Sequence, residues 1–260
     1  VRAFPANLRA GLAAATTDRR CELLRSLGYR YQLTSPGAGQ ALAVAYANRC
    51  FARDALGEHT DAVADCTAAL DITPDDPEIL NNRGVAYLNS SMDEEAEADF
   101  TAAIALRPDY AEAYANRGRV HIDREDFALA LADLDEAIEL DDGLPEAYAN
   151  RAFVNESLDR VDDALADYGQ AIERRPDAQI LFYRGMLLLQ QGRFAEALDD
   201  FKRAQEIDPE SYVAYQAGRN VEMLSSNPDL IATSAAATPS SVSGDAASTE
   251  TSPLTPGDEG

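Results

Sequence analysis

Cysteine and histidine are the side chains of this sequence best suited to metal binding or catalysis, and there are three of the first and two of the second. Cys21, Cys50 and Cys66 form no Cys-x-x-Cys pair, the spacing typical of zinc sites. His59 and His121 lie far apart in the chain. No Gly-rich phosphate loop, nucleophile elbow or metal-ligand cluster is present. The sequence therefore predicts no catalytic residue, no metal site and no cofactor.

Charge is the most unusual bulk property of the chain. The 260 residues contain 46 acidic and 22 basic side chains, which gives a formal net charge of -24. Residues 43–211 carry 38 of the acidic groups and 15 of the basic ones, whereas residues 1–42 carry six Arg against two acids. Such a polyanion repels phosphate backbones, which argues against nucleic-acid binding, and it attracts basic partners. The alternative is that the charge mainly keeps the protein soluble.

The sequence says little about the compartment. No run of 18 apolar residues occurs, so no membrane-spanning helix is predicted. The first twenty residues lack the apolar core of a signal peptide. Because the chain begins at Val1 and not at Met, removal of a leader is also compatible with the sequence. A cytoplasmic location and a periplasmic or exported one both stay open.

A segment of about 34 residues recurs five times. Each copy has an Arg, followed sixteen residues later by an Asp, and an Ala in between at the twentieth position of the copy. Apolar residues at helical spacing indicate two short helices per copy, here called helix A and helix B. One such pair cannot bury its own apolar face, so the copies must stack. The Ala residues are Ala62, Ala96, Ala130, Ala164 and Ala197.

These landmarks resemble the tetratricopeptide repeat family, which also wants small residues at positions 8 and 27 and usually an aromatic at position 24. The resemblance implies an all-α fold, a right-handed superhelical solenoid of about five helix pairs, and a role in protein binding. Five units are predicted, at residues 43–76, 77–110, 111–144, 145–177 and 178–211.

Partial elements are expected at both ends of the array. Thr17, Cys21 and Leu24 match positions 20, 24 and 27, so residues 1–42 are expected to cap the array with an incomplete repeat. A Gly- and Pro-containing link, residues 35–39, would join it to the first unit. Residues 212–224 resemble a closing helix. Residues 225–260 contain five acids but no basic or aromatic residue, so a disordered acidic tail is predicted.

Positions 7 and 23 depart from the family, which favours Leu and an aromatic there. In an antiparallel helix pair that turns near position 15, these two positions lie level, and the Asp also lies near the next unit's Arg. Structural ion pairs are predicted, with a charged binding strip as the alternative. The pairs are Arg49/Asp65, Arg83/Asp99, Arg117/Asp133, Arg151/Asp167 and Arg184/Asp200.

The cysteines fall on equivalent repeat positions. Cys50 is at position 8 and Cys66 at position 24, and Cys21 is at the equivalent of position 24 in the partial repeat. The helix that carries Cys21 should pack against the helix that carries Cys50. A Cys21–Cys50 disulfide is therefore possible in an oxidising compartment, with three reduced, buried thiols as the alternative.

The resemblance implies that helix-A positions 2, 5, 9, 12 and 13 line the concave face. Family members that clamp a chaperone's terminal carboxylates use Lys and Asn there. The chain's single Lys, Lys202, is on a helix B, so that clamp is absent. An apolar groove with an acidic rim remains, unless other parts of the chain cover it. The candidate binding residues are Phe51, Asn81, Val85, Leu88, Arg119, Ile122, Phe153, Phe182, Met186 and Leu189.

The predicted function is that of a non-enzymatic scaffold that binds a peptide or protein segment, basic and apolar in character, in this groove. Two alternatives stay open. In one, the array is a module for self-association, for example as a homodimer. In the other, it is the non-catalytic part of a larger enzyme complex.

Overall fold

A computed structural model describes residues 36–237 of the chain. This part is all helical, as predicted, and it contains twelve α-helices and no strand. The helices are α1 Pro36–Ala55, α2 His59–Leu70, α3 Pro77–Asn89, α4 Asp93–Leu106, α5 Ala111–Asp123, α6 Phe127–Leu140, α7 Pro145–Ser157, α8 Val161–Arg174, α9 Ala178–Gln190, α10 Phe194–Ile207, α11 Tyr212–Ser225 and α12 Pro228–Ala237.

Local sequence signals begin several of these helices. The carboxylates of Asp76 and Asp177 each accept hydrogen bonds from two backbone N–H groups, those of the second and third residues of α3 and of α9. The hydroxyl of Ser211 accepts one such bond in α11, and Pro77 and Pro145 occupy first helical positions, where no N–H is needed. These caps satisfy groups that the helices themselves leave without partners.

The turn between helix A and helix B has the same backbone conformation in all five repeats. Position 15 has a positive φ in each, between 57° and 79°. Glycine provides this conformation in the first and last repeats, and polar residues adopt it in the other three. The five residues are Gly57, Ser91, Glu125, Asp159 and Gly192.

The chain divides into two compact units. The N-terminal unit, described from residue 36 to Asp142, contains the helix pairs α1/α2, α3/α4 and α5/α6. The C-terminal unit, described from Gly143 to residue 237, contains the pairs α7/α8 and α9/α10, followed by α11 and α12. Within each unit, helix A packs most extensively on helix B of its own repeat, and helix B packs on helix A of the next.

Alanine forms the seam between the helices. The alanines at positions 20 and 27 are 0% exposed in every repeat, so two helix backbones approach closely along each pair. Larger side chains fill the rest of this seam, among them Phe100, Leu134, Tyr168 and Phe201, all almost fully buried.

Two expectations about the ends of the array are wrong. Helix α1 begins at Pro36, so residues 36–39 are helical where a link was expected. Residues 228–237, expected to be disordered, form α12, because Ile231 packs into the apolar cluster of α9, α10 and α11. The proposed partial repeat at residues 17–24 and the tail beyond residue 237 lie outside the described residues. None of the described helices is both long and apolar enough to cross a membrane.

Candidate functional site

Arginine and aspartate at positions 7 and 23 form the same ion pair in all five repeats. Nε and Nη2 of each Arg donate to the two carboxylate oxygens of the Asp on the facing helix, a bidentate geometry that strengthens both hydrogen bonds. The distances are 2.7 and 2.7 Å for Arg83–Asp99, 2.8 and 2.7 Å for Arg117–Asp133, 2.9 and 2.7 Å for Arg151–Asp167, and 2.7 and 2.6 Å for Arg184–Asp200.

The five carboxylates are buried and have further partners inside the protein. Their residues are between 1% and 7% exposed. Position 11 supplies another donor in two repeats: Arg53 Nη1 lies 2.9 Å from Asp65, and Asn155 Nδ2 lies 3.1 Å from Asp167. Hydrogen bonding to the carboxylate raises the pKa of Arg184 above its ordinary value, despite the opposing effect of burial. A ligand therefore has little access to these groups, which favours a packing role over a binding strip.

The ion pairs also connect successive repeats of the N-terminal unit, but through threonine. Arg83 Nη1 donates to Thr67 Oγ1 at 3.4 Å, and Arg117 Nη1 donates to Thr101 Oγ1 at 3.2 Å. Each threonine belongs to helix B of the preceding repeat, two residues after its Asp. Sequence reasoning had placed the preceding Asp itself in this role and had missed position 25.

The structure joins Cys50 to Cys66 in a disulfide, with 5.4 Å between the two Cα atoms. The possible Cys21–Cys50 pair and its alternative of three reduced thiols are therefore both wrong, because Cys50 and Cys66 are bonded to each other. Positions 8 and 24 of one repeat face each other across the helix seam, so the nearest thiol to Cys50 is in its own hairpin. Cys21 lies outside the described residues. The sequence could have predicted this pairing, because the repeat register already assigns Cys50 to position 8 and Cys66 to position 24 of the same repeat.

The histidines lie in different surroundings. His59 Nδ1 is 2.7 Å from a carboxylate oxygen of Asp54. His121 is 5% exposed, and its Nε2 is 3.5 Å from Asp133. Its Nδ1 has no hydrogen-bond partner in the part of the chain that the structure describes. Among residues 36–237, no three His, Cys, Asp or Glu side chains are grouped closely enough to hold a metal ion.

The ten candidate binding residues divide by exposure. Phe51 and Phe153 are 67% and 46% exposed, and Arg119 is also exposed, with its Nε 3.1 Å from Asp123. The half-buried residues are Val85, Leu88, Phe182, Met186 and Leu189.

Two of the ten do not contribute to an open face. Asn81 is 7% exposed, and its Oδ1 accepts a hydrogen bond from Asn116 Nδ2 at 3.0 Å. Ile122 is 8% exposed. Because both side chains are buried, we exclude them from the candidate face.

The three helices A of the N-terminal unit are linked side by side. Asn116 of α5 bonds Asn81 of α3, and Asn89 Nδ2 of α3 donates to Asp54 of α1 at 2.9 Å. Each bond joins residues 35 positions apart, which is one more than the 34-residue period of the repeat. The helix-A face of this unit is therefore one surface formed by α1, α3 and α5.

Negative charge dominates the N-terminal unit. Residues 36–142 carry 24 acidic and seven basic side chains, and each of the seven Arg is within salt-bridge distance of a carboxylate. Residues 143–237 carry 16 acidic and nine basic side chains. Within residues 36–142, carboxylates thus greatly outnumber the guanidinium groups, all of which already contact a carboxylate.

Position 2 of helix A illustrates this excess. Arg107 Nη2 lies 3.0 Å from Glu78 in the second repeat, and Arg175 pairs with Glu146 in the same way in the fourth. In the third repeat, Asp141 stands where these repeats have Arg. The exposed carboxylate of Glu112 therefore lacks the guanidinium that its counterparts bind.

Comparison with solved structures finds the same fold in proteins of low sequence identity. The thermophilic TPR protein TTC0263 of Thermus thermophilus is 22% identical, with a TM-score of 0.62 over 69% of this chain and 98% of that one. Pseudomonas aeruginosa pilF is 15% identical, with a TM-score of 0.64 over 76% and 90%. MamA of Desulfovibrio magneticus RS-1 is 19% identical, with a TM-score of 0.53 over 65% and 97%. At these identities the likeness shows the fold alone.

Sequence comparison points to the same family. A search of curated proteins finds no match. The sequence model described as "Tetratricopeptide repeat" matches residues 93–145 and 157–212. These matches fall on the repeats identified above, and the helix pairs have the corresponding architecture. The chain belongs to the tetratricopeptide repeat family, whose fold is that of a protein-interaction scaffold.

Proposed function

We propose that this protein is a non-enzymatic scaffold, and that the helix-A face of its N-terminal unit binds a peptide segment with both basic and apolar side chains. The observation that carries the proposal is the charge of the described part of this unit: in residues 36–142, 24 acidic groups stand against seven Arg, each already paired with a carboxylate. A basic segment would balance the excess of carboxylates on this described part.

Apolar contact surface lies on the same face. Phe51, at position 9 of the first repeat, is on α1 and is 67% exposed. Val85 and Leu88 of α3 pack against Phe100 from one side and stay half-buried. Large exposed aromatics of this kind commonly anchor partners, because they bury much area at little cost in conformational entropy.

Acidic side chains on α3 and α5 flank this apolar surface. Glu112 is exposed at position 2 of the third repeat, whereas Glu78 and Asp123, also exposed, already contact Arg107 and Arg119. A bound segment with alternating basic and apolar residues would place cations near these carboxylates and its apolar side chains near Phe51. Charge contributes mainly to association rate and selectivity, whereas aromatic burial contributes mainly to affinity.

The test is fluorescence anisotropy with labelled peptides of one length. Peptides that combine Arg or Lys with Leu or Phe are expected to bind, and peptides with Glu in place of the basic residues are expected not to bind. Phe51→Glu should weaken binding by about tenfold or more. Leu129→Glu is the matched control, since Leu129 is 54% exposed but lies on helix B α6, and it should change affinity less than about twofold.

Both variants add one negative charge. An equal loss of peptide affinity in the two would therefore show that the peptide does not bind at the helix-A face. Equal affinity for the acidic and basic peptides would contradict the electrostatic basis. Self-association makes a different prediction: light scattering would show a dimer, and Phe51→Glu would convert it to a monomer.

A further inference from the structure

We infer that the Cys50–Cys66 disulfide is a covalent lock on the first helix hairpin, and that its reduction loosens the N-terminal end of the helix-A face. The bond connects α1 to the middle of α2. Only the effect on the helix-A face rests on the proposed function. The lock itself rests on the packing of the five hairpins.

Positions 8 and 24 touch in the other hairpins, where a small residue faces a large one. A Cβ added to Gly84 would be 2.6 Å from Cε1 of Phe100, and one added to Gly185 would be 2.8 Å from Cε1 of Phe201. The remaining two pairs are Gly118 with Leu134 and Ala152 with Tyr168. A bulky side chain thus fills the seam in the four hairpins that follow the first.

The first hairpin has no bulky residue at this place. Cys50 and Cys66 are both 0% exposed, and their bonded sulfur atoms occupy the seam. Two cysteines have less apolar side chain to bury than an aromatic residue or leucine. The covalent bond supplies the connection that packing supplies in the other repeats.

Among residues 36–237, helix α1 has fewer packing neighbours than the later helices A. Position 10 is buried in those helices: Ala86, Val120 and Val154 are 0% exposed, and Leu187 is 2% exposed. The corresponding residue of α1, Ala52, is exposed. Within the described residues, no helix covers this side of α1. A cross-link between α1 and α2 therefore has its largest effect in this hairpin.

Reduction of the Cys50–Cys66 bond requires a reductant, here a small-molecule thiol that is itself oxidised to its disulfide. Two thiols of the reductant give two electrons and two protons to the Cys50–Cys66 bond, which yields two protein thiols and one small-molecule disulfide. The reverse reaction forms the lock. Because both sulfur atoms are fully buried, exchange requires the hairpin to open first. We therefore expect the bond to form during folding in an oxidising compartment and to persist in the folded protein.

The effect on binding follows from the position of Phe51. Phe51 directly follows Cys50 on α1 and is the most exposed of the apolar candidate binding residues. When α1 is no longer fixed to α2, Phe51 loses its fixed position relative to α3. The reduced protein should then bind basic, apolar peptides more weakly.

The lock is tested first by its effect on stability. The full chain with Cys21→Ser is prepared oxidised, and alkylation without reduction followed by mass spectrometry should find no free thiol. Full reduction should lower the melting temperature by on the order of 10 °C. Hydrogen exchange should accelerate in α1 and α2 and stay unchanged in the C-terminal unit.

The double variant Cys50→Gly with Cys66→Phe is the matched control. It copies the Gly84/Phe100 pair of the next hairpin, so its melting temperature should be the same with and without reductant. The inference is overturned if the fully reduced Cys21→Ser protein melts and exchanges like the oxidised one. It is also overturned if peptide mapping of the natural sequence pairs Cys50 with Cys21.

Peptide binding separates the two proposals. If reduction leaves affinity unchanged while Phe51→Glu still weakens it, the link between the lock and the helix-A face is wrong. If Phe51→Glu has no effect on binding while reduction still destabilises the first hairpin, the proposed function is wrong and the lock is supported.

Discussion

The same substitution is expected to have opposite effects at two glycines of the C-terminal unit. Gly169 lies inside α8 and Gly185 inside α9, and both face the neighbourhood of another helix. Replacing either by Ala removes the same conformational penalty, since glycine in a helix interior is about 0.8–1.0 kcal/mol less favourable than alanine. The surroundings of the new methyl group decide the sign of the net change.

At Gly169 the added Cβ has room. Its nearest neighbour would be Arg184 Nη1 at 3.7 Å, an ordinary van der Waals distance. No steric clash therefore opposes the gain in helix propensity, and Gly169→Ala should stabilise the protein by about 1 kcal/mol.

At Gly185 the added Cβ meets an aromatic ring. Three ring atoms of Phe201 would lie 2.8, 3.1 and 3.2 Å away, and Phe201 is 0% exposed, with Phe182 5.8 Å from it between ring centroids. The ring cannot move aside without disturbing the core, and overpacking of this kind costs about 1–3 kcal/mol. After subtraction of the helix contribution, Gly185→Ala should destabilise the protein by about 1 kcal/mol.

Urea unfolding followed by far-ultraviolet circular dichroism measures both changes, and hydrogen exchange in α8 and α9 localises them. The two variants should differ by about 2 kcal/mol in free energy of unfolding. Stabilisation by both variants would mean that the seam at Gly185 is loose and the close approach to Phe201 is incorrect. Destabilisation by both would mean that Gly169 is required for helix contact in a way that its open surroundings do not explain.

Three further predictions concern the ion pairs, the buried tyrosine and the charge. Asp200→Ala leaves the half-buried guanidinium of Arg184 without its carboxylate, so the free energy of unfolding should fall by about 3 kcal/mol. Asp199→Ala is the control at an exposed position, and it should change this free energy by less than about 0.5 kcal/mol. Urea titrations measure both changes. Burial raises the pKa of Tyr168 well above its usual value of 10.0, so the folded protein keeps this proton where the unfolded chain loses it. Stability should therefore be complete below pH 10.0 and decline above it, and Tyr168→Phe should lessen that decline in alkaline denaturation curves. Affinity for basic peptides should decrease as ionic strength rises, measured by anisotropy, and a salt-independent affinity would contradict the role of the carboxylate excess.

The repeat register was predictable from sequence because it depends on local patterns. Small residues at fixed positions and the spacing of apolar residues define two helices per repeat, and the period places each repeat in the stack. The facing Arg and Asp followed from antiparallel geometry alone, since a turn near position 15 brings positions 7 and 23 level. The structure places the turn at this position, at residues such as Ser91 and Glu125.

The ends of the array were less predictable from composition. The Ser-, Thr- and Ala-rich sequence after α11 suggested disorder, yet residues 228–237 are helical. The composition of a segment indicates how much apolar surface the segment can bury by itself. Ile231 instead packs against an apolar cluster formed by other helices. Such a neighbour is invisible to any window of local sequence.

The sequence by itself determined the helical repeat, its register, the facing ion pairs and the acidic excess, because each follows from residue order and spacing. Only the tertiary structure decided which thiol bonds Cys50 and which candidate binding residues, such as Asn81 and Ile122, are buried. Those outcomes depend on distances of a few ångströms between side chains of different helices. Several arrangements are compatible with one register, and packing selects among them.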